Sequence, residues 1–339
     1  MVLKKTLLFV FITIFLVTCA AAGILFELSI YADTPANSKT SQNVIVNVRP
    51  GQTLRNTADM LYKENIIKSA LKFILIARIK GSDRHLKAGE YLLSAAMPPR
   101  QILEIMIKGA VNLHKLTVPE GFNIYQIAEL VEDAQFGSKN DFIKNAMDPT
   151  LAAEYGVEAP TFEGYLFPDT YFFPREIVMD QIISAMVNRF WSIFSNEWKA
   201  RAADLGFSVH QVVTLASIIE KETGAAFERP IISSVFHNRL KKKMRLESDP
   251  TVIYGIENFD GNLTRKHLKT PTPYNTYRIK GLPAGPIANP GRESLYAALY
   301  PEKTVFIYFV SKNDNSHHFS TSLKEHNRAV RKYQLKRKK

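Results

Sequence analysis

Hydrophobic patterning divides the chain before any composition is counted. From Leu7 to Phe26 it reads LLFVFITIFLVTCAAAGILF, without one charged side chain. A helical run of that length crosses a bilayer core of about 30 Å, so a single transmembrane helix is predicted over residues 7–27. Lys4 and Lys5 precede it, which keeps residues 1–6 on the cytoplasmic side and delivers everything after Glu27 to the other face. A cleaved signal peptide ending at Ala20-Ala21-Ala22 competes with the anchor, but Ile24, Leu25 and Phe26 carry the apolar run past that site. The stretch ADTPANSKTSQ, Ala32 to Gln42, is small and polar, and a flexible linker is expected over 28–43.

Alternation takes over next. Val44, Val46 and Val48 read as a half-buried strand, Pro50-Gly51 as a turn, and the following residues as a short helix. The same unit recurs at LTVPEGFNIYQIAELV: Val48 corresponds to Val118, Gly51 to Gly121, Leu54 to Ile124, Ala58 to Ala128 and Leu61 to Val131. Two copies make a duplicated strand–turn–helix element; a solenoid needs about three or more. The first copy resembles the LysM glycan-binding pattern. LKFILIARIK and HLKAGEYLLSAAMPP can supply the second helix and closing strand of such a subdomain over 44–115. The plainer alternative for 44–115 is an α/β spacer.

Beyond Asp133 the apolar spacing is helical in DFIKNAM, IVMDQIISAMVNRFWSIF and SVHQVVTLASIIEKET. Loops dense in Pro, Gly, Asn and Tyr follow from Ser248 to Gly291, then a strand-like TVFIYFV from Thr304 to Val310. The predicted class is α+β, with a larger, mainly helical domain over 116–335 and a basic tail at 336–339.

Charge narrows the setting. The net charge of +12 calls for an anionic neighbour. Because the span places the body outside the cytoplasm, anionic lipid or cell wall fits and nucleic acid does not. Cys19, inside the span, is the single cysteine, so the body needs no disulfide and offers no thiol nucleophile. His317, His318 and His326 cluster without a carboxylate at ligand spacing, and no metal or other cofactor is expected.

Candidate chemistry centres on LASIIEKETG, Leu215 to Gly224. Ser208 can cap this helix and Gly224 can end it. Val212, Leu215, Ala216 and Ile219 form its buried stripe; Glu220 and Glu222 fall on opposite shoulders, and Lys221 faces away. Desolvation on a shoulder raises a carboxyl group towards the range of a general acid, yet periodicity cannot choose between the two. A solvated helix end, paired with Lys221 or Arg229, explains them equally.

TFEGYLFPDTYFFP, Thr161 to Pro174, sets Glu163 and Asp169 among Phe162, Tyr165, Phe167, Tyr171, Phe172 and Phe173. Such a mixture suits either a sugar-binding cleft or an aromatic core segment. SVFHNRL adds His237, Asn238 and Arg239, and SDPTVIYG adds Asp249 and Tyr254. Hydrolysis of a glycosidic bond ordinarily uses two carboxylates. Glu220 could partner Glu163, Glu222 or Asp249, or act alone if the substrate brings its own nucleophile.

Taken in order, EGYLFPDTY, ASIIEKET, SVFHNRL, LESDPTVIYG, TPYNTYRIKGLPAGPIANPG and HHFSTSLKEHN closely resemble the MltG, or YceG-like, endolytic murein transglycosylases. The resemblance runs from the anchor to about Tyr333. It implies a single-pass inner-membrane protein with a LysM-like subdomain and a catalytic domain in the periplasm, working beside peptidoglycan synthases. It implies cleavage of nascent peptidoglycan strands between N-acetylmuramic acid and N-acetylglucosamine without water, leaving 1,6-anhydromuramoyl ends. The first Glu of the EKE motif, here Glu220, is then acid and base. Glu163, Asn238, Asp249, Tyr254, Asn275 and Tyr277 are expected to line the cleft. Ala284 departs from a proline expected in many members, which touches subsite shape and not the acid. A hydrolytic muramidase and a non-enzymatic peptidoglycan-binding anchor are the alternatives.

Overall fold

An uninterrupted apolar run has no reason to break, and helix α1 extends from Val2 to Asp33. The computed structural model describes residues 2–40, 42–82 and 85–335; the expected basic tail at 336–339 lies outside the described residues. Along α1 the apolar side chains point outwards, Phe9 at 71% and Phe26 at 70% exposure, and Lys5–Asp33 is long and apolar enough to cross a membrane by length and composition.

The linker expected from residue 28 begins later, because the helix runs six residues past 27, to Asp33. Leu28, Tyr31 and Ala32 stand at helical spacing and are buried in a hydrophobic core. Tyr31 donates to the Ser69 carbonyl at 2.8 Å, and Asp33 pairs with Arg100 at 2.7 Å. Only from Thr34 does the chain leave the helix.

The chain divides into two compact units, one running to His114 with Phe173–Glu176, the other holding Lys115–Phe172 and Ile177 onward. In the first, β1 (Asn43–Val48) pairs antiparallel with β2 (Gly89–Ser94), with Val46 opposite Tyr91. Between them lie α2 (Leu54–Lys63) and α3 (Ala70–Ile79), and α4 (Pro99–Lys108) follows. Val46, Val48, Ala58, Leu61, Phe73, Tyr91 and Leu103 fill the core that also receives the end of α1.

The second unit begins with the repeat. β3 (His114–Thr117) leads through Gly121 into α5 (Ile124–Asp133), then α6 (Lys139–Ala146) and α7 (Pro149–Glu154), and β3 pairs with β4 (Thr170–Phe173). Helices α8 (Met179–Ile193), α9 (Asn196–Asp204), α10 (Val209–Glu222), α11 (Arg229–Lys241), α12 (Asp249–Tyr254), α13 (Arg265–Lys269) and α14 (Arg292–Leu299) follow. A hairpin of β5 (Tyr308–Ser311) and β6 (His317–Ser320) precedes α15 (Leu323–Val330). The strand expected from Thr304 starts four residues later, because Asn238 takes the carbonyls of Thr304 and Phe306 that a ladder would use.

Candidate active site

Helix α10 is the centre of the second unit. Ser208 and Gln211 form a capping box at its start, each side chain bonding the other's backbone N–H. Every residue from Val212 to Ile219 is buried, against α9, α11, α12 and α14. The expected one-sided stripe is therefore incomplete: this helix is enclosed all round. Its polar members are satisfied internally, with Thr214 donating to the His210 carbonyl, and Ser217 donating to Thr214 and accepting from the Ile287 N–H. The expected glycine terminator is replaced by Thr223, extended at φ −88°, whose hydroxyl donates to the Ile219 carbonyl.

The two glutamates of the helix end point to different neighbourhoods. The Glu220 side chain is 8% exposed. One of its oxygens accepts from the Gly291 N–H at 3.0 Å, at the N-cap of α14, where the helix dipole presents its positive end. The other faces Arg229 at 3.5 Å. Arg229 also lies 3.8 Å from Glu120, a residue the sequence reading passed over. Burial, then repulsion from Glu220, raises the Glu120 carboxyl above its ordinary range, with Arg229 opposing. The signal was in the repeat: Glu120 stands where the first copy has Pro50.

Glu222 accepts from the Ser248 hydroxyl at 2.6 Å and so ties α10 to α12. Burial pushes its carboxyl up and Asp249 adds to this, against the Ser248 bond, His317 and Arg239. It is not a solvated partner of Lys221 or Arg229: Lys221 donates to the Gly121 carbonyl, and Arg229 faces Glu120 and Glu220. Asp249 is exposed and accepts from the Tyr277 hydroxyl at 2.7 Å; burial, then that bond, raises the Tyr277 phenol.

Glu163 lies in the wall of a cleft of about 970 Å³. It accepts from the Ile124 N–H at 3.2 Å, the Tyr254 hydroxyl at 2.9 Å and the Asn289 amide at 3.1 Å. Burial still pushes its carboxyl up to about 7, because three dipoles do not replace lost water. Tyr125, Tyr254, Tyr274 and Phe259 supply aromatic surface to the cleft, and Asn123, Gln126 and Asn258 supply polar groups. Ala284, the departure from the expected proline, also lines it. Glu220 is not among the residues that line this cleft; Asn289, whose side chain bonds Glu163, stands two residues before Gly291, whose N–H bonds Glu220.

Four of the six expected cleft residues, Asn238, Asp249, Asn275 and Tyr277, are not among the residues that line this cleft. Asn275 is fully buried and donates to the carbonyls of His267, Leu268 and Thr270, closing its own loop. Asn238 holds the Thr304–Phe306 segment. Both amides are committed to backbone carbonyls, those of Asn275 within its own loop and those of Asn238 brought near by the fold. The aromatic segment of Thr161–Pro174 is mostly core, with Phe162, Tyr165, Phe167 and Phe173 buried, and Asp169 pairs with Arg189. Of the three histidines, His317 bonds Glu228 at 2.7 Å, His326 stacks on Tyr308, and His318 packs near Tyr333.

Comparison with known proteins places this geometry. An endolytic murein transglycosylase of Bacillus subtilis is 36% identical over 328 residues, covering 91% of this chain and 89% of that protein. One from Streptococcus pneumoniae R6 is 26% identical over 332 residues, covering 87% of this chain and 59% of that protein. The crystal structure of a yceG-like protein from Listeria monocytogenes superposes with a TM-score of 0.60 at 35% identity, covering 85% of this chain and 99% of that one. The pattern of the YceG-like family matches residues 46–332, so the chain belongs to the YceG-like family.

Proposed function

We propose that the chain is a membrane-anchored endolytic lytic transglycosylase, acting on nascent peptidoglycan strands with Glu220 as general acid and base. The observation that carries this reading is the placement of Glu220: nearly buried and bound by the Gly291 N–H at a helix N-terminus, two residues beyond the Asn289 that bonds Glu163 in the cleft wall. The activity named for the Bacillus and pneumococcal relatives supports it.

In this mechanism Glu220 gives its proton to the glycosidic oxygen between N-acetylmuramic acid and N-acetylglucosamine as the C1–O bond breaks. The muramoyl 6-hydroxyl then bonds C1, and its proton returns to Glu220. No water is consumed, and a 1,6-anhydromuramoyl end remains. The Gly291 N–H and Arg229 stabilise the carboxylate between the two transfers. Glu163 and Tyr254 form the cleft wall, while Asp249 at the start of α12 holds Tyr277 in the loop between α13 and α14. Anchoring follows from α1, with Lys4 and Lys5 inside and the catalytic unit in the periplasm of the inner membrane, beside the synthases that extend the strands. The first unit serves as a LysM-like membrane-proximal subdomain.

Glu220→Gln tests the reading. Folded Glu220→Gln protein is expected to lose release of anhydro-ended glycan from uncrosslinked strands by about a hundredfold to ten-thousandfold, the usual contribution of a positioned acid. Mass spectrometry of the wild-type products separates this from hydrolysis, which adds one water. Reducing ends as the sole product, or an active Glu220→Gln, overturns it.

A further inference from the structure

Glycine 291 has a carboxylate on each side. Its N–H holds Glu220 at 3.0 Å, and the Glu120 carboxylate lies so close to its Cα that an added Cβ would collide with it. Arg229 reaches both acids through one nitrogen, at 3.5 Å from Glu220 and 3.8 Å from Glu120. Resting on the reading of Glu220 as acid and base, we propose that Glu120 is its positioning residue. The two carboxylates share Arg229 and hold one exchangeable proton between them, which keeps Glu220 charged with a proton for transfer.

The charge balance supports this. With both acids ionised, the pair and Arg229 carry a net −1; with one proton on the pair the group is neutral, the state a partly buried cluster prefers. The charged groups acting on Glu120 are Glu220 on α10, Arg229 on α11 and Glu293 on α14. Lys221 gives its ammonium to the Gly121 carbonyl, and Glu293 adds a further negative charge. Arg229 is not saturated by the two acids: its Nε is buried without a partner among the described residues. Glu120 remains 49% exposed, so it can exchange protons with solvent while Glu220, at 8%, is nearly closed off. Glu120 exchanges no atom with the glycan; after ring closure the pair carries the same single proton as before.

The test is the pH profile of kcat/KM for the full-length protein in detergent, on uncrosslinked glycan strands. Glu120→Gln removes the repulsion, so the alkaline limb is expected to move down by about one pH unit, a roughly tenfold loss above it, with KM and melting temperature unchanged. Arg229→Gln removes the shared cation and is expected to move the same limb up. Opposite shifts are a signature that general damage does not produce, and Glu120→Asp should restore much of the wild-type profile. An unmoved limb in Glu120→Gln, or shifts of the same sign in both variants, overturns the proposal. If Glu120→Gln does not fold, Arg229→Gln decides: an upward limb supports the pair, and an unmoved or lowered one ends it. Activity surviving in Glu220→Gln would instead remove the underlying reading of Glu220.

Discussion

Gly51 and Gly121 share a φ of 77° and the same place in a strand–turn–helix unit, yet their surroundings differ. An added Cβ at Gly51 would meet nothing within 4 Å, while one at Gly121 would meet the Glu220 side chain at 3.5 Å. The first copy satisfies its turn locally: Gln52 bonds the Arg49 N–H through its side chain and donates its own N–H to the Arg49 carbonyl. The second is satisfied from far along the chain, with Gly121 donating to the Asn289 carbonyl and Ile124 to the Glu163 carboxylate. Both copies bury the same helix face, Ala58 and Leu61 in one and Ala128 and Val131 in the other. A self-contained turn is a scaffold. A turn whose backbone depends on a loop 167 residues away can hold two acids in register.

Asn289→Ala should break the second copy most severely. It strips the partner from the buried Leu166 N–H, one of three donors from buried Glu163 and the side-chain bond from the half-buried Phe122 carbonyl, and should cost about 3 kcal/mol or more. A melting temperature within a degree of wild type would show that the long-range bonds do not support this turn.

Next in size is a pH effect. The folded-state value of Glu163 is raised to about 7 from 4.5, so the folded protein binds this proton more tightly than the unfolded chain. Its contribution is present in full below about pH 4.5 and is lost as pH rises towards 7, by about 3 kcal/mol in all. Glu163→Gln should remove that loss, so the stability difference between variant and wild type should grow in the variant's favour across this window. Parallel denaturant titrations at several pH values check it; parallel curves refute the assignment.

The smallest effect sharpens the comparison most directly. Gly51→Ala and Gly121→Ala should each cost about 1 kcal/mol, since both force a side chain into left-handed backbone. Only Gly121→Ala should also lower kcat, because Glu220 lies against it. Equal activity in the two would mean that the turn does not position the acid.

Much of this was legible in one dimension. The long apolar helix follows from an unbroken hydrophobic run, and the repeat and the helix carrying Glu220 follow from periodicity, both of which are properties of neighbours in sequence. Glu120 was legible only in part, as a departure of the second copy from the first. The committed amides of Asn238 and Asn275 were not legible, because an amide on a loop looks the same whether it faces a ligand or a carbonyl.

Sequence alone determined where the chain is apolar, where it turns, and that two acids stand on opposite shoulders of one helix end. Only the tertiary structure decided what each acid meets. Glu220 faces the N-cap of α14 and a guanidinium, and Glu222 faces a serine hydroxyl beside Asp249. The reason is physical: helical spacing sets the direction of a side chain, but its proton affinity depends on desolvation and charges brought from remote segments.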